Sequence, residues 1–182
     1  MSSHHIVRDE QEPALLICDL DDIPTEVLHS LLEWSPTVVC CEQALSLYLS
    51  KGHKVDVALI NSANYESWWS VLGEQQPVKI IALSEVDFLD GGLTLLQKND
   101  HKSVNILSSR ASLPEVVLLL EKWLAYMDVT ILTEKTRVIL CNQTEFKKWV
   151  PKETIFEVRS ISKFTNWKLS GEWIEMISTS DH

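Results

Sequence analysis

Over the first 127 residues, short aliphatic runs alternate with longer segments whose apolar residues recur at helical spacing. The runs, which we predict to be strands, span residues 14–18, 37–41, 55–60, 78–83 and 104–107. Each run is apolar on both faces, which is typical of a parallel strand buried between two layers of helices. The alternation predicts an α/β fold with a doubly wound, mostly parallel sheet.

Helix-start and helix-stop residues mark the segments between the runs. Pro24 opens the first predicted helix and Pro36 ends it, and Gly52 closes a second helix at residues 43–51 from the C′ position. Trp34 and Trp123 are expected to pack helices on the sheet. Further helices are predicted at residues 65–72, 89–98 and 114–127.

The pattern changes at about residue 128. Strands are predicted at residues 129–132, 137–141, 154–158 and 172–177, with no helical segment between them. Consecutive strands without crossover helices are typical of antiparallel pairing. We therefore expect a first part at residues 1–127 and a short C-terminal antiparallel β appendix at residues 128–182.

Composition argues against two classes of partner. The 16 Lys and Arg residues against 26 Asp and Glu residues give a net charge of −10, which argues against nucleic-acid binding. No apolar run exceeds five residues, far short of the roughly 20 that span a bilayer, and no signal peptide is visible. We expect a cytoplasmic protein that binds neither nucleic acid nor membrane.

The cysteines and glycines lack the spacing of common site motifs. Cys18, Cys40, Cys41 and Cys141 are expected to be reduced, buried thiols. Cys40 and Cys41 are adjacent in a predicted strand, so their side chains point to opposite faces and cannot hold one metal ion together. With only five glycines, neither a dinucleotide-binding loop nor a Walker-type loop can be written.

Several segments resemble bacterial thiamine pyrophosphokinases in order and spacing. Residues 36–44 (Pro-Thr-Val-Val-Cys-Cys-Glu-Gln-Ala), Tyr48 and residues 51–57 (Lys-Gly-His-Lys-Val-Asp-Val) follow the frame of the family's opening segment. Residues 162–167 and 171–174 are similar to parts of its C-terminal β domain.

This resemblance implies a Rossmann-like nucleotide-binding domain at residues 1–127, a reduced β domain at residues 128–182 and a homodimer with thiamine between its subunits. The family transfers diphosphate from ATP to thiamine, giving AMP and thiamine diphosphate. Acidic residues at strand ends hold Mg²⁺, because a hard cation must bridge the phosphates. Asn166 and Trp167 would lie at a thiamine or dimer interface.

The catalytic motifs of that family are degraded in this sequence. Glu42 stands where the family has an aspartate, and an acidic pair after the third strand is lost, with Asn61 in its place. A later acidic motif falls on Asp87 or Asp90, and the spacing does not choose between them. Since metal-binding carboxylates of this kind stabilise the transition state by several kcal/mol, their loss predicts a pseudoenzyme.

We call the residues that match the family's nucleotide and metal site, or lie where open sheets bind ligands, the vestigial site. Simpler roles stay open for three of them: Asp21 in a solvated loop, Asp56 as a capping or turn residue, and Arg110 as a surface residue. The vestigial site comprises Asp21, Glu42, Asp56, Asn61, Asp87, Asp90 and Arg110.

Three functions follow from these observations. The first is a thiamine-pyrophosphokinase-like protein that has lost diphosphate transfer and retains binding of a nucleotide or a thiamine-like ligand. The second is a working enzyme, using ATP and Mg²⁺, in which Asp21, Glu42, Asp56 and either Asp87 or Asp90 rebuild the metal site. The third is a structural protein-interaction module.

Overall fold

The computed structural model describes residues 12–75, 77–84, 87–109, 113–134, 136–141, 145–149, 155–160, 166–170 and 173–177. The helices are α1 (Thr25–Leu32), α2 (Glu42–Ser50), α3 (Tyr65–Leu72), α4 (Phe88–Lys98) and α5 (Leu113–Leu120). The strands of the first part are β1 (Ala14–Ile17), β2 (Val38–Cys41), β3 (Val57–Asn61), β4 (Lys79–Leu83), β5 (Ser103–Leu107) and β6 (Asp128–Leu132). They are followed by β7 (Thr136–Cys141), β8 (Glu145–Trp149), β9 (Ile155–Ser160), β10 (Asn166–Ser170) and β11 (Trp173–Ile177).

Eight of the described strands form one sheet in the order β4-β3-β2-β1-β5-β6-β7-β9. The strands from β1 to β6 all pair in parallel. β7 pairs antiparallel with β6, and β9 pairs parallel with β7. The prediction of a Rossmann-like, mostly parallel sheet is confirmed.

Alternate residues of each strand face two separate apolar cores. Leu16 and Ile106 belong to the core under α4 and α5. Leu15 and Ile60 belong to the core on the other face, under α1, α2 and α3. Because successive side chains of a strand point to opposite faces, one apolar run serves both helical layers, and the sheet is doubly wound.

Two glycines are required by the backbone and by packing. Gly52 has φ of +78° and its N–H donates to the carbonyl of Leu49, so the predicted C′ position is confirmed. Gly92 lies in α4 directly against the sheet. A Cβ there would lie 2.7 Å from Leu16 Cδ1 and 3.3 Å from Leu59 Cδ1, so the missing side chain lets α4 approach the sheet closely.

Two details of the first part correct the sequence-based expectations. The helix predicted over residues 114–127 ends at Leu120, and a 3-10 turn follows at Glu121–Trp123. Bonds of the i→i+3 type, such as Tyr126 N–H to the Trp123 carbonyl at 2.9 Å, tighten this end of the segment. Trp123 is buried as expected, but Trp34 follows the end of α1 and is 64% exposed, so it does not pack on the sheet.

The C-terminal part contains both the expected antiparallel strands and two corrections. β10, β11 and β8 form an antiparallel three-stranded sheet, of which β8 and β10 were not predicted. β6 pairs in parallel with β5 because a helical crossover precedes it, and β9 also joins the main sheet. Strands from both sides of residue 127 therefore belong to one sheet. The division into two domains at that residue stays a prediction.

Among the described residues, none of the helices combines the length and the apolar character that a membrane-spanning segment requires.

Candidate functional site

The strand order reverses at β1, which pairs with β2 on one side and β5 on the other. Chains leaving these strands diverge, and ligands of open α/β sheets bind in the resulting crevice at the carboxyl ends of the strands. Here the N–H groups of Cys18 and Asp19 donate to the Leu107 carbonyl at 3.0 and 3.3 Å. We call the side of the sheet where β1 to β6 end the carboxyl edge.

An acidic loop follows β1 at this edge. The Asp19 side chain accepts a 2.8 Å hydrogen bond from the Asp21 N–H, which closes a tight turn. Asp22 has φ of +60°, a conformation that Asp tolerates better than most residues. Asp21 and Asp22 are exposed, so the structure places Asp21 at the carboxyl edge with its carboxylate toward solvent.

Glu42 begins α2 and is engaged by three donors from the next strand and helix. Its Oε2 accepts the Asn61 N–H at 2.6 Å, and its Oε1 accepts the Asn64 amide at 2.6 Å and the Trp68 indole N–H at 3.0 Å. Partial burial raises the pKa of the carboxyl group, but the three hydrogen bonds together outweigh it, and the pKa lies below its ordinary value. Glu42 therefore ties the end of β3 and the start of α3 to α2.

Asn61 is committed to the same loop. Its side-chain oxygen accepts the Ala63 N–H at 2.9 Å and caps the 3-10 turn Ser62–Asn64. A side chain that caps its own loop is a structural element of the turn. Asn61 and Glu42 thus hold one another in place at a position where the resemblance implies metal ligands.

Asp87 and Asp90, the two alternatives for the later acidic motif, have different structural roles. Asp87 is the N-cap of α4, and its side chain accepts the Asp90 N–H at 2.9 Å. Asp90 accepts the Trp123 indole N–H at 3.1 Å and pairs with Lys122 Nζ at 2.5 Å. The hydrogen bond from Lys122 to Asp90 raises the pKa of this exposed lysine.

The remaining residues of the vestigial site do not join this cluster. Asp56 precedes β3 and accepts the Val38 N–H at 2.7 Å, so it lies at the opposite, amino edge of the sheet. At about 3.3 Å per residue, the length of β3 separates it from the carboxyl edge by about 15 Å. Arg110 lies outside the described residues. Asn166 and Trp167 pair with Ile177 and Met176 in β10 and β11, and their side-chain contacts lie outside what the structure describes.

The described carboxylates do not fit the Mg²⁺ that the resemblance implies. Among the described residues, no group of three or more His, Cys, Asp or Glu side chains is placed to hold a metal ion. Mg²⁺ requires oxygen ligands converging in near-octahedral geometry. The carboxylate oxygens of Glu42, Asp87 and Asp90 instead accept hydrogen bonds from N–H groups of the protein.

Two features of this edge were missed by sequence reasoning. Arg137 is the second residue of β7, which runs antiparallel to β6, so it pairs with Leu132 at the carboxyl edge and is half-buried there. Burial lowers its pKa. Cys18 and Cys41 lie with their sulfur atoms 4.0 Å apart at the ends of β1 and β2. Their positions at the ends of consecutive predicted strands could have indicated this pair.

No known family model matches the sequence, and no curated protein matches it.

Proposed function

We propose that this chain is a thiamine-pyrophosphokinase-like protein that has lost ATP-dependent diphosphate transfer and binds a thiamine-like ligand at the carboxyl edge. The fold is compatible with the resemblance to thiamine pyrophosphokinases, because that resemblance implies a Rossmann-like sheet followed by antiparallel strands. The observation that carries the proposal is the engagement of Glu42 by three protein donors. A carboxylate that holds a loop in this way does not serve as a ligand that brings Mg²⁺ to ATP.

The exposed carboxylates described at the carboxyl edge outnumber the one half-buried arginine there, Arg137, and favour a cationic ligand over a nucleotide. Asp19, Asp21 and Asp22 form one acidic loop, and Asp87 follows β4 at the same edge. Without a bound cation, these carboxylates repel the phosphates of ATP, whereas the positive thiazolium of thiamine is attracted to them. The ligand that fits this charge pattern is thiamine itself or a compound with a similar cationic ring.

A working enzyme is less compatible with the geometry. That hypothesis requires Asp56 beside Glu42, but the two lie at opposite edges of the sheet. Incubation of concentrated protein with ATP, thiamine and Mg²⁺, followed by detection of AMP, tests this point directly. We expect no thiamine-dependent AMP, and turnover that scales with protein concentration would establish the working enzyme.

Ligand binding is tested by thermal shift with ATP, thiamine and thiamine diphosphate, each with and without Mg²⁺. A ligand at 100 times its Kd stabilises the folded state by about 2.7 kcal/mol, which is readily measured. We expect thiamine to raise the Tm without Mg²⁺ and ATP to have no effect. A shift with ATP that requires Mg²⁺ would contradict the proposal.

A pair of matched variants locates the binding. Asp21→Asn removes a charge at the carboxyl edge and should weaken thiamine binding. Asp100→Asn makes the same change before β5, at the amino edge, where φ of +62° also suits asparagine. We expect Asp100→Asn to leave the shift unchanged, and equal losses in both variants would place the ligand elsewhere.

A second candidate function, a protein-interaction module, is favoured by exposed apolar side chains on α3. Trp69 and Val71 are 51% and 52% exposed, and large apolar side chains at a surface mark interaction sites. Val71 also lines a groove of about 490 Å³ between α2 and α3, together with Ser46, Leu49, Ser50, Ser67 and Trp68.

The expected homodimer provides the test of this second candidate. If α3 is the interface, sedimentation should show a dimer that Trp69→Ser weakens and Trp34→Ser does not. Absence of any ligand shift together with that result would favour the interaction module, and a monomer at all concentrations would count against a self-association role.

A further inference from the structure

Cys18 and Cys41 occupy equivalent positions on neighbouring strands. In the β1–β2 register Ile17 pairs with Cys40, so Cys18 and Cys41 are the next pair along. Cys41 belongs to the core under α4 and α5, and Cys18 packs against that same core. Their side chains therefore point to the same face of the sheet, and the Cys41 thiol donates to the Cys18 sulfur over 4.0 Å.

This placement is compatible with a disulfide bond. Neighbouring strands lie about 4.8 Å apart, within the range of about 4.4 to 6.8 Å that disulfides span between Cα atoms. The sulfur atoms must approach to about 2.05 Å, and rotation about the Cα–Cβ bonds supplies most of that movement. Cys40 is not a competitor, because it belongs to the core on the opposite face of the sheet.

The two thiols differ in solvent access, and this difference determines which of them reacts first. Cys18 is half-buried at the mouth of the crevice, whereas Cys41 is 1% exposed. An external oxidant therefore meets Cys18 first, and the buried Cys41 reacts in a second step. The expectation that all cysteines are buried is wrong for Cys18, and this exposure gives the pair a route to solvent.

We infer that Cys18 and Cys41 are a redox-active pair that forms an intramolecular disulfide by exchange with a low-molecular-weight disulfide. The Cys18 thiolate attacks one sulfur of the external disulfide, whose S–S bond breaks and releases one thiol. Cys41 then attacks the Cys18 sulfur of the mixed disulfide and displaces the second thiol. Two protein thiols are oxidised, the external disulfide is reduced to two thiols, and the two S–H protons end on those products.

The cross-link would join the ends of β1 and β2 immediately before Asp19 and Glu42. It would therefore fix the spacing of the carboxyl edge in the oxidised protein. The hydrogen bond to Cys18 and burial both raise the pKa of Cys41, so the closing step should become faster as pH rises. The inference does not depend on the proposed ligand.

The test uses the full chain treated with oxidised glutathione, alkylated to block free thiols and analysed by intact mass and peptide mapping. After alkylation, we expect the oxidised protein to carry two fewer alkyl groups than the untreated chain, with one peptide pair joining Cys18 to Cys41. Cys18→Ser should abolish the cross-link, and Cys40→Ala should leave it unchanged.

Two results would overturn the inference. One is a stable glutathione adduct on Cys18 that never resolves to the internal disulfide at any pH up to about 9. The other is a cross-link to Cys40 or Cys141 in place of Cys41. Peptide mapping of the unmutated chain detects both of these results as well as the expected cross-link. The test therefore still decides the question if a variant fails to fold.

Discussion

Replacement of Glu42 by alanine should destabilise the fold by about 3 kcal/mol. Three donors lose their acceptor: the Asn61 N–H, the Asn64 amide and the Trp68 indole. A typical intramolecular hydrogen bond contributes about 1 kcal/mol net, and bonds to a charged group contribute more. Glu42 is only partly buried, so water compensates in part, and about 1 kcal/mol for each bond is the appropriate magnitude.

Glu42→Gln should cost about a third as much, or about 1 kcal/mol. With its carbonyl in the place of Oε1, glutamine retains the bonds to Asn64 and Trp68 and loses the one from Asn61. The matched control is Glu66→Ala, because Glu66 is also in the first turn of its helix but is exposed. Its loss removes only the interaction with the helix dipole, up to about 1 kcal/mol.

The assay is urea unfolding followed by tryptophan fluorescence, in which the midpoint and the slope give the free energy of unfolding. For a chain of this size, about 3 kcal/mol corresponds to a fall in Tm of about 6 to 12 °C. If Glu42→Ala and Glu66→Ala cost the same, the three hydrogen bonds do not hold the edge together, and the structural role assigned to Glu42 is refuted.

The hydrogen bonds to Glu42 also predict how the stability of the fold depends on pH. The pKa of Glu42 is lowered in the folded state, so the folded protein binds a proton less readily than the unfolded chain. The stability that Glu42 contributes is therefore full above the ordinary glutamate pKa of about 4.3 and is lost as pH falls through the lower folded value. The difference between the unmutated protein and Glu42→Gln should shrink over that acidic range.

Two further predictions concern close packing and histidine titration. Gly92→Ala should destabilise by about 1 to 3 kcal/mol, because its Cβ would meet Leu16 at 2.7 Å, whereas Gly73→Ala meets nothing within 4 Å and should be neutral or stabilising in the same urea assay. Burial, together with His29 and Lys51, lowers the pKa of His53, so stability should fall as pH drops below about 6.5. His53→Asn should flatten that part of the stability profile, and an unchanged slope would contradict the assignment.

Much of the first part of the fold could be predicted from local pattern. The run at residues 14–18 and the Gly52 C′ signal depend on neighbours a few positions away, and both are found in the structure. The position of β6 could not be predicted in the same way, because parallel and antiparallel partners require the same apolar residues. Trp34 shows the same limit, since an aromatic residue after a helix can face either the core or solvent.

For the candidate site, the sequence determined which residue types follow each strand, and therefore that Glu42, Asp87 and the acidic loop after β1 meet at one edge of the sheet. That conclusion needs only the rule that the carboxyl ends of parallel strands share an edge. The tertiary structure alone decided what those carboxylates do. Glu42 finds its partners 19 to 26 positions away and Asp90 finds Trp123 33 positions away. Whether a hydrogen bond forms depends on differences of a few tenths of an ångström in the distance between donor and acceptor. Only the packing of helices and strands establishes those distances.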